Sequence, residues 1–114
     1  MTQRPDAILV PTFPLSISRA QQIAALAARV GVPALYGRRD FAAAGGLMSY
    51  RDNVVESYRQ TGIYAGRILK GDKPADLPVI QTSRLELVIN LKTAKALGLT
   101  IPETLLATAD EVIQ

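Results

Sequence analysis

The centre of the chain reads Gly45-Gly46-Leu47-Met48-Ser49-Tyr50-Arg51-Asp52-Asn53. Paired glycines let the backbone adopt positive φ and approach another group closely. The short apolar piece after them predicts a strand over 47–50, which ends in polar residues just before a long helical pattern. Open α/β sheets bind ligands at the carboxyl ends of their strands, so this stretch is a candidate site. A tight turn into a buried strand is the plainer alternative, and composition alone favours it because turns far outnumber sites.

Strand and helix patterns alternate on both sides of this centre. The apolar run over 6–11 lacks polar alternation, which is typical of a strand covered on both faces. Strands are predicted at 6–11, 32–36, 47–50, 79–82, 85–90 and 110–113. Helices are predicted at 20–30, 40–44, 54–69, 91–97 and 102–107. This order predicts a single α/β domain over 1–114, a Rossmann-like three-layer αβα sandwich with a mainly parallel sheet.

Two helices carry specific local predictions. Ser18 and Gln21 stand three residues apart before the helix over 20–30, which is the spacing of a capping box. The helix over 54–69 has Asp52 and Asn53 as candidate caps, and its interior contains Gly62 and Gly66. Each glycine costs about 1 kcal/mol relative to alanine in a helix. Both are tolerable if this helix lies very close to the sheet.

The composition excludes several classes of function. The 114 residues include no Cys and no His, so disulfides, thiolate nucleophiles, the usual zinc sites and histidine acid–base chemistry are excluded. The net charge is +3, but the charges are dispersed, and few aromatic residues are available to stack on bases, which disfavours nucleic-acid binding. No apolar run approaches the roughly 20 residues of a transmembrane helix, and no secretory leader opens the sequence as given.

Searches for catalytic motifs give no match. Residues 66–73 resemble a phosphate-binding P-loop, but Asp72 stands where the lysine is required and the stretch closes a helix. Ser49 lacks the spacing of a nucleophile elbow, and the chain has no histidine to act as its base. No pair of carboxylates is close enough in sequence to suggest a glycosidase. The sequence therefore predicts no enzyme, no cofactor and no metal site.

Three loops follow three predicted strands, and in a parallel sheet all three lie at the same edge. They are 12–14, 37–39 and 50–53, and they offer a hydroxyl, an aromatic ring, guanidinium groups and a side-chain amide. A small polar ligand with a carboxylate is one interpretation. Ordinary loops with Arg38 and Arg39 solvated are the other, and the residues alone leave both open.

Several stretches together resemble a known family. They are Gly45-Gly46-Leu47-Met48-Ser49-Tyr50, Ile68-Leu69-Lys70-Gly71, Lys73-Pro74-Ala75-Asp76-Leu77-Pro78-Val79, the run from Leu85 to Leu99, Ile101-Pro102, Leu105-Leu106-Ala107 and Ala109-Asp110-Glu111-Val112-Ile113. In order and spacing they are similar to the C-terminal portion of the ABC-transporter substrate-binding proteins that include tryptophan- and tyrosine-type members.

The resemblance implies one lobe of a type I periplasmic binding protein, in which two Rossmann-like lobes joined by crossing strands close on a small solute. This chain matches the second lobe, with 79–114 as the return segment, and the family's members are more than twice as long. The implied function is the solute-binding component of an ABC transport system, with an amino acid as solute and an ABC permease as partner. The implied location is periplasmic or extracytoplasmic, or cytoplasmic if Met1 is the natural start, without membrane insertion.

The resemblance also places candidate ligand contacts at the cleft. The predicted ligand-binding residues are Thr12, Phe13, Tyr36, Ser49, Tyr50 and Arg51. The aromatic rings would stack on the ligand, and the hydroxyls and Arg51 would bind its polar ends. Pro11-Thr12 matches the family, but Phe13-Pro14 follow where Asp or Asn is frequent, and Arg51 replaces the usual glycine. The family's ligand is therefore not carried over to this chain.

A second hypothesis is structural. An isolated lobe exposes the surfaces that meet the other lobe, and self-association would cover them. The chain would then be a non-catalytic homodimer that exchanges the segment from Val79 onward, with or without a ligand. An enzyme on a flavodoxin-like fold is disfavoured by the absence of His and Cys.

Overall fold

The computed structural model describes residues 3–81 and 84–114. The chain divides into two compact units, residues 1–51 with 86–114, and residues 52–85. We call them the sheet unit and the helix unit. The predicted return segment, 79–114, is thus divided between them, with 79–85 in the helix unit and 86–114 in the sheet unit. The prediction of a single domain stays a prediction.

The strands form a five-stranded sheet within the described ranges, in the order β1-β2-β3-β4-β5. They are β1 (Ile8–Val10), β2 (Ala34–Tyr36), β3 (Met48–Asp52), β4 (Leu85–Asn90) and β5 (Glu111–Ile113). The pairs β1–β2, β2–β3 and β4–β5 are parallel. The Asn90 amide, at the end of β4, donates to the Leu47 carbonyl just before β3 at 2.8 Å. This bond joins the beginning of β3 to the end of β4, its neighbour in the sheet, so the two strands run in opposite directions. The sheet is mainly parallel, as predicted.

Helices connect the strands in the order expected of an α/β fold. They are α1 (Pro14–Ser18), α2 (Ala20–Val30), α3 (Arg39–Ala43), α4 (Val54–Leu69), α5 (Leu91–Ala96) and α6 (Glu103–Thr108), with a 3₁₀ turn at Pro74–Asp76. Asn53 caps α4 by accepting from the Glu56 amide at 3.1 Å, which confirms one of its predicted caps. The α/β class is thus confirmed.

The predicted capping box at Ser18 is wrong. Pro14 begins a separate short helix, so Ser18 lies in the last turn of α1, where its hydroxyl donates to the Leu15 carbonyl. α2 begins at Ala20 after Arg19, which makes no side-chain cap. Proline has its φ fixed near the helical value and is therefore favourable in a first helical turn. Pro14 thus begins a helix before Ser18, where the cap was predicted.

One further prediction fails in the helix unit. Residues 79–81 form no strand, and Thr82, the last residue of that predicted strand, lies outside the described residues. A Cβ atom built on Gly62 or Gly66 would meet nothing within 4 Å. The close approach of α4 to the sheet stays a prediction.

The core of the sheet unit lies under β1 and β2. Ala34, Tyr36 and Phe41 are buried together, and partly buried side chains of β1 and α2 pack against them. The rings of Tyr36 and Phe41 stack with centroids 4.8 Å apart and an angle of 12°. Gly46 lies against this stack, because a Cβ there would fall 2.5 Å from Tyr36 Cε2 and 2.7 Å from the Phe41 carbonyl oxygen. The second glycine of the opening stretch thus serves core packing.

A buried polar link fastens α5 to the loop after α3. The Asn90 side chain donates to the Ala42 carbonyl at 2.9 Å, and its Oδ1 accepts from the Thr93 amide at 3.1 Å. The Thr93 hydroxyl donates to the Gly45 carbonyl at 2.9 Å. Asn90 is therefore both the N-cap of α5 and a second donor to the Ala42 carbonyl, which also accepts from the Gly45 amide at 3.2 Å.

Candidate functional site

The carboxyl ends of β1, β2 and β3 form one edge of the sheet unit. Val10 pairs with Tyr36, and Tyr36 pairs with Ser49, so these three residues stand in one row across the strands. β1 and β2 end at this row, whereas β3 continues for three residues beyond it. The predicted loops 12–14 and 37–39 thus begin at this edge, which is where open α/β sheets bind ligands. The third predicted loop, 50–53, is wrong for residues 50–52, which extend β3 to Asp52.

The loop after β1 is held by Ser16, whose side chain is fully buried. Its Oγ accepts from the Phe13 amide at 3.0 Å and lies 3.0 Å from the Pro11 carbonyl oxygen and 2.9 Å from that of Phe13. This anchor leaves the Phe13 ring 43 % exposed at the start of α1. Ser16 is not among the predicted site residues, so sequence reasoning missed this role.

The first two loops touch through Thr12 and Gly37. A Cβ on Gly37 would lie 2.3 Å from Thr12 Oγ1, so any other residue at 37 would displace the threonine. Thr12 is half-buried as a result. A glycine directly after a strand was the signal for this contact, because glycine in that place often marks a close approach of another segment.

The two arginines after β2 are already paired with carboxylates. Arg38 donates from Nε and Nη2 to Asp40 Oδ2 at 3.1 and 2.5 Å. Arg39 makes a bidentate pair with Glu111 in β5, with both distances 2.6 Å. The hydrogen bond from Arg39 lowers the pKa of Glu111 below its ordinary value and raises that of Arg39. These pairs reduce the capacity of Arg38 and Arg39 to bind an anionic ligand.

β3 offers side chains to both faces of the sheet. Ser49 is buried and lies in the row with Val10 and Tyr36, whereas Tyr50 is 51 % exposed. Successive strand residues point to opposite faces, so Tyr50 projects away from the face that holds the Tyr36 ring. Arg51 is half-buried and takes part in an interaction of its own.

The structure places Tyr36 in the core, not at the edge. Its side chain is 1 % exposed, and its ring stacks on Phe41. The hydroxyl has no hydrogen-bond partner among the described residues, and burial raises its pKa above the ordinary value of 10.0. Tyr36 and Ser49 are therefore buried beneath this edge. The predicted contacts that reach its surface are Thr12, Phe13, Tyr50 and Arg51.

Replacing Tyr36 by phenylalanine should leave the free energy of unfolding unchanged or raise it by about 1 kcal/mol. The substitution keeps the ring stacked on Phe41 and removes a buried hydroxyl that lacks a partner, which costs about 1–3 kcal/mol in a folded protein. Urea denaturation followed by circular dichroism measures the change. A loss above about 1 kcal/mol would show that the hydroxyl is hydrogen-bonded in solution.

Two searches of the described residues bear on the class of site. In residues 3–81 and 84–114, no three acidic side chains come together as a metal site. None of the helices in these ranges is long and apolar enough to cross a membrane.

Comparisons with known proteins match nearly the whole of this chain. A model of the ABC transporter substrate binding protein family matches residues 1–113. A Streptococcus pneumoniae ABC domain solved in complex with L-Trp is 35 % identical with a TM-score of 0.85, over 95 % of this chain and 37 % of that chain. A conserved domain protein from Vibrio cholerae O1 biovar El Tor is 28 % identical with a TM-score of 0.85, over 94 % and 36 %.

A more distant structure shares the fold. The ligand-free, open form of a Clostridium difficile substrate-binding protein with adhesive properties is 24 % identical with a TM-score of 0.66, over 94 % of this chain and 36 % of that chain. No curated protein sequence matches. The chain thus spans little more than a third of the length of these solved structures. Because the family model covers nearly every residue, the chain belongs to the ABC transporter substrate-binding protein family.

Proposed function

We propose that this chain is the solute-binding component of an ABC transport system, or one lobe of it, and that it binds a small molecule such as an amino acid. The observation that carries the proposal is the likeness to the S. pneumoniae domain, which matches 95 % of this chain and was solved with L-Trp. The carboxyl edge of β1–β3 is the proposed binding surface. Such a component binds and releases its solute without changing it, so we propose no catalysis.

The side chains at this edge suit an amino acid. Phe13 and Tyr50 present half-exposed rings, and aromatic rings are suitable surfaces for the apolar part of a small ligand. Thr12 supplies a hydroxyl. Arg51 supplies a guanidinium that can bind a carboxylate through paired hydrogen bonds, and a ligand would share or replace its present interaction.

The mechanism we propose is closure around the solute. In a complete receptor a second lobe would cover the ligand by a hinge movement, and the closed form would be recognised by an ABC permease. Because the chain belongs to this family, we also propose that the protein lies outside the cytoplasm. The edge described above would then contribute one half of the cleft.

Calorimetric titration of the 114-residue chain with the twenty L-amino acids, supported by thermal shift, tests the proposal. For an amino acid that binds, Arg51→Ala should weaken the affinity at least about tenfold, since a hydrogen bond to a charged group contributes about 1.5–3 kcal/mol. Arg29→Ala, which removes an arginine from α2 at a distance in sequence from this edge, is the matched control. Absence of heat and of thermal shift with every amino acid would contradict the proposal.

The homodimer, with or without exchange of the segment from Val79 onward, stays a prediction. Val79 is fully exposed and Ile80 is 55 % exposed, so this segment has apolar side chains that a second copy could cover. Light scattering of the purified chain measures its mass directly. A strict monomer across the working concentration range would remove this hypothesis.

A further inference from the structure

The short helix α1 reverses the usual pattern of a surface helix. Of its five residues only Ser16 is buried. Its neighbours Leu15 and Ile17 are 58 and 38 % exposed. A surface helix normally turns its apolar side chains inward and its polar side chains to water. The serine therefore has a task inside the protein that burial of a neighbouring apolar side chain would not perform.

The N-cap of α1 is equally unusual. It is Phe13, which has extended backbone and makes no side-chain cap. Ser, Thr, Asp and Asn are preferred at N-caps, because their side-chain oxygen accepts from an amide of the first turn. A phenylalanine has no such oxygen. Residues that break a local rule are expected at functional sites, and the Phe13 ring is half-exposed at the proposed binding surface.

Ser16 supplies the polar contacts that Phe13 lacks. Its Oγ accepts from the Phe13 amide at 3.0 Å. The same hydroxyl lies 3.0 Å from the Pro11 carbonyl oxygen, to which it can donate. These contacts join the third residue of α1 to both sides of the loop after β1. The backbone of Phe13 is thus tied to the helix by a side chain that lies beneath it.

Gly37 restrains the same loop from the side of β2. A Cβ on Gly37 would lie 2.3 Å from Thr12 Oγ1, so the threonine packs directly on the backbone there. The loop is therefore held by packing at Thr12 and by a hydrogen bond at Phe13. A ring carried on a fixed backbone loses little conformational freedom when a ligand binds, and this preorganisation favours affinity.

We propose that Ser16 is a positioning residue of the binding surface, which caps α1 from its third residue and so holds the Phe13 ring in place for the solute. The inference rests on the proposed function, because it requires that the solute meets Phe13. Ser16 is fully buried, so it acts through the backbone of Phe13 and not by contact with the solute. A role limited to the stability of α1 is the alternative.

Fluorine NMR tests the positioning without a solute. The chain has two phenylalanines, Phe13 and Phe41, so labelling with 4-fluorophenylalanine gives two signals. Ser16→Ala should move the Phe13 signal toward its position in the urea-unfolded chain and leave the signal of the buried Phe41 in place. Ser18→Ala removes an exposed hydroxyl from the same helix and is the matched control, which should move neither signal. An unmoved Phe13 signal in Ser16→Ala would overturn the proposal.

Ser16→Cys covers the case in which the alanine variant does not fold. Cysteine fills nearly the same buried space, but its thiol is a much weaker hydrogen-bonding group than a hydroxyl. The Phe13 signal should therefore move in the same direction as in Ser16→Ala, while circular dichroism shows a folded chain. A folded Ser16→Cys variant with the Phe13 signal of the unmodified chain would contradict the proposal.

Calorimetry with the amino acid that binds most tightly tests the consequence for the solute. Ser16→Ala should weaken its affinity about tenfold, the order of the loss when a freed side chain must be immobilised again on binding. In a Phe13→Ala background the same substitution should change the affinity less than about twofold, because the residue through which Ser16 acts is absent.

Equal weakening in both backgrounds would show that Ser16 supports only the fold, and the inference would fail while the proposed function stands. Failure of every amino acid to bind the unmodified chain would instead contradict the proposed function. The fluorine signals would still decide whether Ser16 positions Phe13.

Discussion

Replacing Gly46 by alanine is expected to lower the free energy of unfolding by about 3 kcal/mol or to prevent folding of the sheet unit. The added methyl would lie 2.5 and 2.9 Å from two ring carbons of Tyr36 and 2.7 Å from the Phe41 carbonyl oxygen. That oxygen also accepts from the Gly46 amide at 2.7 Å, so the backbone has little freedom to move away. Overpacking of a well-packed core costs about 1–3 kcal/mol, and here two of the three obstructing atoms belong to a stacked ring.

Urea denaturation followed by circular dichroism gives the size of this effect. Gly66→Ala is the matched control, because a Cβ at Gly66 meets nothing within 4 Å and alanine is the better helix former. The control should be neutral or stabilising by up to about 1 kcal/mol. A loss below about 1 kcal/mol for Gly46→Ala would mean that the ring stack yields easily, and the argument from close packing would not hold.

Replacing Asn90 by alanine should cost about 2–4 kcal/mol of unfolding free energy. The side chain is 5 % exposed and makes two hydrogen bonds, to the Ala42 carbonyl and from the Thr93 amide. Its loss leaves the Thr93 amide without its partner, and a buried unpaired group costs about 1–3 kcal/mol. The Ala42 carbonyl keeps only the bond from the Gly45 amide at 3.2 Å, and the lost hydrogen bond contributes about 0.5–1.5 kcal/mol more. It also removes the N-cap of α5, which is part of the same loss.

Asn53→Ala is the control for this substitution, because Asn53 caps α4 by the same kind of bond but in an exposed place. Its expected cost is about 1 kcal/mol. The two variants should therefore differ by at least about 1 kcal/mol in the same denaturation experiment. Equal costs would show that burial adds nothing to the cap at Asn90.

The elements of the sheet unit were predictable because their signals are local. The run from Ile8 to Val10 lacks polar alternation, and Gly31, with φ of 69°, ends α2 as a left-handed residue. Asn90 and the helix after it follow the usual capping pattern. Boundaries moved by one or two residues: β1, β2 and β5 are shorter than predicted, whereas β3 continues to Asp52.

The side chains of the candidate site were harder to predict. Tyr36 was expected to stack on a ligand, but stacking on Phe41 uses the ring inside the core. Which face a residue at the end of a short strand presents depends on the register of three strands, and this cannot be read from any one of them. Arg39 pairs with Glu111, 72 residues away, which no local pattern indicates.

The helix unit shows the same limit in another form. Periodicity identifies a helix with an apolar side but does not say which body that side meets. In α4 the apolar side includes Val55, Tyr58 and Leu69, which are exposed. The partner of such a face is decided by tertiary structure, which can include residues outside the sequence at hand.

β3 and β4 are antiparallel neighbours in the sheet, and the 34 residues from Asp52 to Leu85 are inserted between them as a separate unit. The bond between Asn90 and Leu47 sets a register in which Arg51 and Glu86 stand side by side. A short hairpin turn can span that distance, so the helix unit can be cut out and replaced by such a turn to leave a smaller protein. A thermal melt of such a shortened chain would show whether the sheet unit keeps its cooperative transition.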